Sequence, residues 1–315
     1  MGTFQSIIDS IQNPEQNQQR RKKLIQEIQE ITGRSLLVYV ADVKKYPDNL
    51  LSPEDKTGFS DLIQGIENQN VDIIINSPGG FAEVTEVIVG MLRSKFQGVR
   101  FVVPNMAKSA ATLLVLSGDE ILLDHRSELG PIDPQIEYPT RDGRKREAAE
   151  DILEGFQEAK KKLINEGPAA TPAYILLLDK YTVGLLRGCE NAVELSKTLA
   201  RKWLKKYMFA QDDPAKADKA TDFFAIHSET LSHNRAILIE DCLQKEMKIL
   251  DLRKPENQTL DEKIWELWCL YELHFERTPV YKIYENSFGC LLQKQVVRLQ
   301  IPLANIAIPE KPPKQ

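Results

Sequence analysis

Short apolar runs alternate with segments of helical periodicity through the first 124 residues of the chain. The apolar runs are rich in β-branched residues and have the length of buried strands. They cover residues 36–41, 71–76, 99–103 and 120–124. The segments between them predict helices at 59–67, 81–96 and 109–117. Because strands and helices alternate with short connections, the pattern predicts an α/β fold with a parallel sheet and right-handed crossovers.

The pattern changes after Gly130. Three prolines and a glycine predict an extended segment and a loop: Pro131, Pro134, Pro139 and Gly143. Helical periodicity then predicts a mostly helical C-terminal elaboration, with segments at 147–165, 173–209, 215–226, 240–247 and 260–276. The last of these carries aromatic residues at helical spacing, which predict core packing or a subunit interface: Trp265, Trp268, Tyr271 and Phe275.

Three later segments have weaker patterns. Residues 173–209 predict one or two helices, because Gly184 and Gly188 interrupt the helical stretch. Residues 237–239 predict a short strand. The final apolar segments, 280–285 and 291–299, predict two strands or a helix–strand pair.

The two ends of the chain differ from the middle. Residues 1–33 predict a polar helical arm, in which the Gln-rich stretch 13–19 weakens the helix and favours a split. The arm is too polar for a membrane anchor. Two placements of the arm stay open, packing on the body of the chain and packing on another subunit. A single domain over 34–300 and a flexible, Pro- and Lys-rich tail over 301–315 complete the expected organisation.

Composition narrows the class of protein. The formal net charge of −5 argues against a general nucleic-acid binder, since no excess of Lys and Arg is available for phosphate. No apolar run reaches the length of a transmembrane helix, and the first residues lack the apolar core of a signal peptide. The four cysteines are too far apart in sequence for a metal knuckle or redox pair. These features predict a cytoplasmic protein with reduced thiols and no transmembrane span.

One motif follows the second predicted strand: Ser77-Pro78-Gly79-Gly80. Paired glycines allow a sharp turn and a close approach to a ligand, because they carry no Cβ. Backbone N–H groups at the start of the following helix are suited to stabilising a developing oxyanion. The simpler interpretation is a plain strand-to-helix turn.

A second motif follows the third predicted strand. Ser109 lies in the run of small residues 107–111, which would let a substrate backbone reach its hydroxyl. The N–H of Ala110 is placed to join an oxyanion hole, and a helix start favours negative charge. The alternative interpretation is an N-cap serine, since serine is a preferred capping residue.

The two motifs in this order resemble the Clp/crotonase superfamily and, within it, the serine peptidases. Residues 76–80 are similar to the oxyanion segment of the Clp protease proteolytic subunit. Residues 108–114 are similar to the nucleophile helix of that subunit and of signal peptide peptidase A. The serine dehydrogenase proteinase family is more similar still, with its motifs matched in order at 34–39, 71–74, 78–80, 109–112, 119–121 and 129–135. The resemblance is dense over 34–136 and sparse over 137–290, where 232–235 and 282–286 resemble later segments of the family.

The resemblance implies that residues 34–300 form a Clp/crotonase-like serine peptidase domain, with a ββα-superhelix core and a helical C-terminal elaboration. It implies Ser109 as nucleophile and an oxyanion hole formed by Gly79, Gly80 and Ala110. It does not supply the general base. The Clp histidine position falls near residues 130–133, which contain no His, and the lysine position of the membrane-associated relatives falls near residues 150–151, which are acidic.

Four residues are therefore candidates for base or orienting group. His233 is a candidate base and Asp133 a candidate orienting group; the alternatives are a loop histidine bound to its own backbone and an Asx turn before Pro134. Lys145, on a basic loop, is a second candidate base or else a solvated charge. His125 follows the fourth strand and is otherwise a hydrogen-bonded strand-end residue.

The sequence as a whole predicts a serine peptidase that hydrolyses peptide bonds through an acyl-enzyme on Ser109. Two rival functions stay open, a crotonase-like acyl-CoA hydrolase or isomerase and a non-catalytic scaffold or binding module. The resemblance also implies a homo-oligomer acting on a peptide or protein substrate, and it leaves peripheral membrane association open. No metal-ligand motif, cofactor motif or Walker loop is present, so no metal, cofactor or ATPase function is expected of this chain.

Overall fold

A seven-stranded sheet forms the centre of the fold, with strands in the order β11-β10-β1-β2-β3-β5-β9. The computed structural model describes residues 2–46, 49–140, 143–167, 171–178, 180–225, 232–233 and 235–296. The strands of the large sheet are β1 (Ser35–Ala41), β2 (Asn70–Asn76), β3 (Gly98–Val102), β5 (Glu120–Leu123), β9 (Ile249–Asp251), β10 (Val280–Asn286) and β11 (Leu291–Gln295). Two small sheets contain β4 (Met106–Ala107) with β6 (Glu128–Leu129), and β7 (Gln135–Thr140) with β8 (Gly143–Ala148). The expected tail at 301–315 lies outside the described residues.

The helices connect and cover these strands. They are α1 (Thr3–Ser10), α2 (Pro14–Thr32), α3 (Asp55–Leu62), α4 (Ala82–Lys95), α5 (Ala110–Val115), α6 (Ala149–Glu166), α7 (Thr171–Leu178), α8 (Val183–Lys206), α9 (Pro214–Ala225), α10 (Ile239–Gln244) and α11 (Gln258–Arg277). None of the helices in the described ranges is long and apolar enough to cross a bilayer.

The four strands predicted from apolar runs pair in parallel, as expected. β1 pairs with β2, β2 with β3, and β3 with β5, and β9 extends the parallel set at one edge. β10 and β11 are antiparallel to their neighbours, so the last apolar segments form two strands rather than a helix–strand pair. The mixed α/β architecture predicted from the sequence is confirmed.

Two local predictions were wrong. The expected loop after Gly130 contains the hairpin β7–β8, whose polar strands are linked by an Arg144–Glu137 ion pair at 2.8 Å. Ile237 forms only an isolated bridge to Leu129, and the segment after it turns into α10. The stretch 173–209 contains two helices, α7 and α8, in agreement with the prediction of one or two. Gly184 lies in the first turn of α8, which Thr182 caps by accepting the Leu185 N–H at 3.1 Å.

The sheet is covered on both faces. Alternate residues of β1 point in opposite directions, with Leu37 and Tyr39 in the core beneath α3, α4, α5, α8 and α9 and Val38 in the core beneath α2 and α11. Both cores exclude solvent. Trp268 and Tyr271 of α11 are buried, which confirms the core prediction for the aromatic stripe.

The N-terminal helices pack on the second of these cores. The side chain of Arg21 on α2 is fully buried, and its Nε lies 2.8 Å from Glu285 Oε2 on β10. The hydroxyl of Tyr271 donates to the same carboxylate oxygen at 2.7 Å, and the Asn17 amide donates to the Leu270 carbonyl at 2.9 Å. A buried ion pair therefore fastens α2 to α11 and β10.

His274 provides a pH-dependent test of this core. Its side chain is buried on α11, and its Nδ1 has no hydrogen-bond partner among the described residues. Burial, and secondarily the charge of Arg21, lower the pKa of His274 to about 4 from an ordinary value near 6.5. The fold therefore favours the neutral ring, and this contribution to stability is fully present above pH 6.5 and is lost as the pH falls from 6.5 toward 4.

The wild-type protein should lose unfolding free energy when the pH falls from 7 to 5. In His274→Leu we expect this loss to be smaller by about 1 kcal/mol, after allowance for solvent screening. Urea unfolding at the two pH values measures this difference. His125→Gln, which removes an exposed histidine, is the matched control and should keep the wild-type difference. An identical pH dependence for His274→Leu and wild type would contradict the assignment.

Candidate active site

Two short segments that are far apart in the sequence lie side by side at the carboxyl ends of the parallel strands. The Ser77 N–H donates to the Met106 carbonyl at 3.1 Å, and the Lys108 N–H donates to the Ser77 carbonyl at 3.0 Å. The buried side chain of Asn76 strengthens the junction, because its Oδ1 accepts from Met106 N at 3.2 Å and from Asn105 Nδ2 at 3.1 Å. The Pro-Gly-Gly turn and the serine segment are thus held in fixed register.

Ser109 has an unusual backbone conformation. Its φ of 51° and ψ of −121° lie outside the regions that non-glycine residues normally adopt. It occupies the N-cap position of α5, but its side chain makes no capping hydrogen bond. The interpretation of Ser109 as a capping serine is therefore wrong, and the residue lines a cavity. Strained conformations of this kind persist where the surroundings impose them, and they cluster at functional sites.

The surroundings of α5 impose this conformation. Thr112 Oγ1 donates to the Ala107 carbonyl at 2.7 Å and accepts the Gly130 N–H at 3.0 Å. On the other side of the helix, Thr85 Oγ1 lies 3.3 Å from the Ala110 carbonyl. Thr112 and Thr85 are fully buried. The first turn of α5 is therefore fastened on both sides.

The glycine turn touches the serine directly. Gly79 has a φ of 101°, and a Cβ built there would lie 2.8 Å from Ser109 Cβ and 2.5 Å from the Lys108 carbonyl oxygen. Gly80 has a φ of 154°, and a Cβ there would overlap the backbone of Leu51. The Gly79 N–H donates to Ser77 Oγ at 3.2 Å. Only glycine fits at these two positions.

A cavity of about 560 Å³ opens at this contact. Gly80, Ser109 and Ala110 lie in its wall. The hairpin contributes Glu137 and Arg146, and further lining comes from Phe81, Leu113, Ile132, Pro134, Leu195 and Ser196. Ser109 and the two backbone segments that contain Gly80 and Ala110 therefore line one cavity, and nucleophilic acyl transfer requires such a shared space.

His233 and Asp133, which are 100 residues apart, form a hydrogen-bonded pair. Nδ1 of His233 lies 2.8 Å from Oδ1 of Asp133, and Asp133 is fully buried. Gln135 Nε2 donates to the other carboxylate oxygen at 3.2 Å. A carboxylate at Nδ1 holds the proton on that nitrogen, so Nε2 carries the basic lone pair. Asp133 sits between Ile132 and Pro134, which both line the cavity.

The other candidate bases have different surroundings. Lys145, on β8, is 57% exposed and is paired with Glu147. Neither Lys145 nor His233 is among the described residues that line the cavity. His125 is exposed in the turn after β5. Lys108 adjoins the serine, but its ammonium binds the Leu129 carbonyl at 3.1 Å and points away from the cavity.

Sequence reasoning missed the residues that hold the two segments together. Asn76 is the last residue of β2, and an amide at the end of an apolar strand was a recognisable signal because it can form hydrogen bonds with the backbone on both sides. Thr112 gave no such signal, since a threonine within an apolar helix is also a common core residue. Their roles appear only when the segments that they join are brought together.

The serine segment lies in the part of the chain that matches a known family. Residues 61–211 match the family described as ClpP-like SDH-type serine proteinase. This match confirms the resemblance predicted from the motifs and, with the parallel sheet, a ClpP-like fold. It supports a serine peptidase.

Two uncharacterized proteins of Methanocaldococcus jannaschii are similar to the chain. One is 33% identical over 149 residues, 45% of this chain and 49% of that protein. The other is 34% identical over 139 residues, 42% of this chain and 45% of that protein. The alignments thus span about half the length of these curated relatives.

Solved structures that a structural comparison finds similar to the chain include two mutant forms of a membrane-bound stomatin-specific protease, one of them in complex with a substrate peptide. They are 14% and 16% identical to the chain, and each has a TM-score of 0.39. The alignments cover 67% and 71% of this chain and 79% and 78% of those chains. At this TM-score the superposition is loose, and the family match rests on sequence.

The contact between Gly79 and Ser109 can be tested by adding one methyl group. Gly79→Ala places a Cβ against Ser109 at a φ that disfavours side chains, so we expect both lower stability, by about 2 kcal/mol or more, and displacement of the serine. Gly65→Ala is the matched control, because Gly65 has a φ of 70° but open space around its Cβ position. It should lose only about 1 kcal/mol. Equal effects of the two substitutions on thermal unfolding would contradict the close contact.

Proposed function

We propose that the chain is a serine peptidase that hydrolyses peptide bonds through an acyl-enzyme on Ser109. The observation that carries the proposal is the contact of a strained, cavity-lining Ser109 with the glycine turn at Gly79. A nucleophile and oxyanion donors must lie about this close together if one carbonyl group is to reach both. The sequence match to a family of serine proteinases supports the same reaction class.

In the proposed reaction, His233 Nε2 accepts the hydroxyl proton as Ser109 Oγ attacks the peptide carbonyl carbon. The tetrahedral intermediate then collapses, the C–N bond breaks, and His233 returns the proton to the leaving amine. Water repeats the sequence on the ester and releases the acid. Asp133 keeps His233 in the tautomer that this step needs, and its burial beside the ring supports that role.

Gly80 and Ala110 are the proposed oxyanion donors, since their backbone segments face the cavity. Gly79 contributes differently, because its N–H is already directed to Ser77 Oγ and its missing Cβ makes room for the serine. This arrangement places one donor on each of the two joined segments. A displacement of either segment would therefore weaken binding of the oxyanion.

A peptide or protein is the proposed substrate. The homo-oligomer and the cytoplasmic location stay predictions from the resemblance and the composition. Peripheral membrane association also stays open for this chain.

Labelling by a fluorophosphonate probe tests the nucleophile. Wild-type protein should form a covalent adduct on Ser109, and Ser109→Ala should lose the labelling and the hydrolysis of fluorescent casein by at least about 10³-fold. Ser94→Ala, on α4 and outside the cavity lining, is the control and should label normally.

Two results would overturn the nucleophile assignment. Equal labelling of wild type and Ser109→Ala would exclude Ser109 as the reacting residue. A folded wild-type protein that neither labels nor cleaves would favour the non-catalytic scaffold, and stabilisation by coenzyme A in that case would favour the acyl-CoA class.

The base is tested by substitution of each candidate. We expect His233→Gln to slow probe labelling by about 10²- to 10⁴-fold, because the proton of Ser109 loses its acceptor. Asp133→Asn should slow it comparably, since an amide favours the wrong tautomer. His125→Gln is the matched control. If Lys145→Met abolishes labelling while His233→Gln does not, the base is Lys145 and the His233 assignment fails.

A further inference from the structure

The glycine turn is supported on its far side by a short extended segment, residues 50–52. The Leu51 N–H donates to the Gly79 carbonyl at 2.6 Å, and the Phe81 N–H donates to the Leu51 carbonyl at 3.0 Å. These two bonds bracket Gly80 in a parallel bridge. The direction of the Gly80 N–H is therefore set by Leu51 as well as by the strand that precedes the turn.

This supporting segment is itself held at both ends by one buried ion pair. The Lys282 ammonium donates to the Leu50 carbonyl at 3.0 Å, and the Ser52 N–H donates to Asp55 Oδ2 at 2.6 Å. Lys282 and Asp55 lie 2.9 Å apart, from Nζ to Oδ1, with side-chain exposures of 3% and 0%. The ion pair thus binds the residues on either side of Leu51, which positions Gly80.

A second route leads from the same carboxylate to the turn. The Tyr284 hydroxyl donates to Asp55, and the Tyr39 hydroxyl lies 3.5 Å from it. Tyr39 also contacts the hydroxyl of Ser77, which accepts the Gly79 N–H. Burial, and then the charge of Asp55, raise the pKa of Tyr39 well above its usual value, so the phenol stays protonated.

The free energy of folding gives little reason to bury the Asp55–Lys282 ion pair. Burial lowers the pKa of Lys282, and the nearby Asp55 only opposes this effect. A buried ion pair contributes about as much to the free energy of folding as apolar residues of similar size would. The pair instead fixes the orientation of the segment 50–52. The Lys282 ammonium donates to a carbonyl at one end, and the Asp55 carboxylate accepts an N–H at the other.

We propose that Asp55 and Lys282 are positioning residues for the oxyanion hole, which they orient through the segment 50–52. This inference rests on the proposed function. Neither side chain lines the cavity at Ser109, so neither touches the reacting atoms. Loss of the pair would let Leu51 and the Gly80 N–H shift. That shift would weaken stabilisation of the tetrahedral intermediate more than binding of the substrate.

The test compares two buried ion pairs in the full-length protein. Lys282→Met should lower kcat for p-nitrophenyl butyrate by about 10- to 100-fold with KM nearly unchanged, and should slow fluorophosphonate labelling similarly. Asp55→Asn, which keeps a hydrogen-bond acceptor for Ser52, should lose less. Arg21→Met is the matched control: it also breaks a buried pair, with Glu285 on the opposite face of the sheet, and should keep kcat despite a similar loss of stability.

The outcomes separate the inference from the function on which it rests. If wild type labels in a Ser109-dependent way while Lys282→Met keeps its kcat, the positioning role is wrong and the peptidase assignment stands. If Arg21→Met loses kcat as strongly at equal stability, the effect is general destabilisation, and the positioning role is again wrong. If wild type shows no Ser109-dependent reaction, the proposed function itself fails. A selective fall in kcat for Lys282→Met supports the role.

Discussion

The backbone bridge between Ser77 and the segment 106–108 is the contact on which the rest of the site depends. Two N–H···O bonds hold the glycine turn against the serine segment, and the absence of a Cβ at Gly79 lets them approach to van der Waals distance. The parallel sheet brings both segments to the same edge, because each follows the carboxyl end of a neighbouring strand. This bridge and the hydrogen bonds of Thr112 and Thr85 together hold the serine segment in place.

β10 links the site to the rest of the molecule. Because side chains alternate along a strand, Lys282 and Tyr284 point toward α3 and the glycine turn, while Glu285 points toward α2 and α11. One antiparallel strand thus carries a member of each of two buried ion pairs on opposite faces of the sheet. The charges that bind the N-terminal helices and those that hold the segment 50–52 are thus connected through one strand.

Much of the fold was readable from local pattern. The four parallel strands were predicted because strands buried on both faces have continuous apolar runs, and the two motifs were recognisable because each is only a few residues long. The hairpin at 135–148 was missed, since its strands are polar and contain a proline, and they pair through their backbones with one exposed cross-strand ion pair, Arg144–Glu137. Asp133 and His233 were each singled out, but nothing in the sequence indicated that they touch.

The sequence by itself determined the order of strands and helices and the identities of the serine and glycines, because these follow from residue spacing, size and backbone freedom within a few positions. Tertiary structure alone decided which charged groups meet. Asp55 and Lys282 are separated by 227 residues, and Asp133 and His233 by 100. A lone Asp, Lys or His has the same local appearance whether it is solvated or paired in the core. Its partner, and therefore its role, exists only once the sheet has brought distant strand ends and loops together.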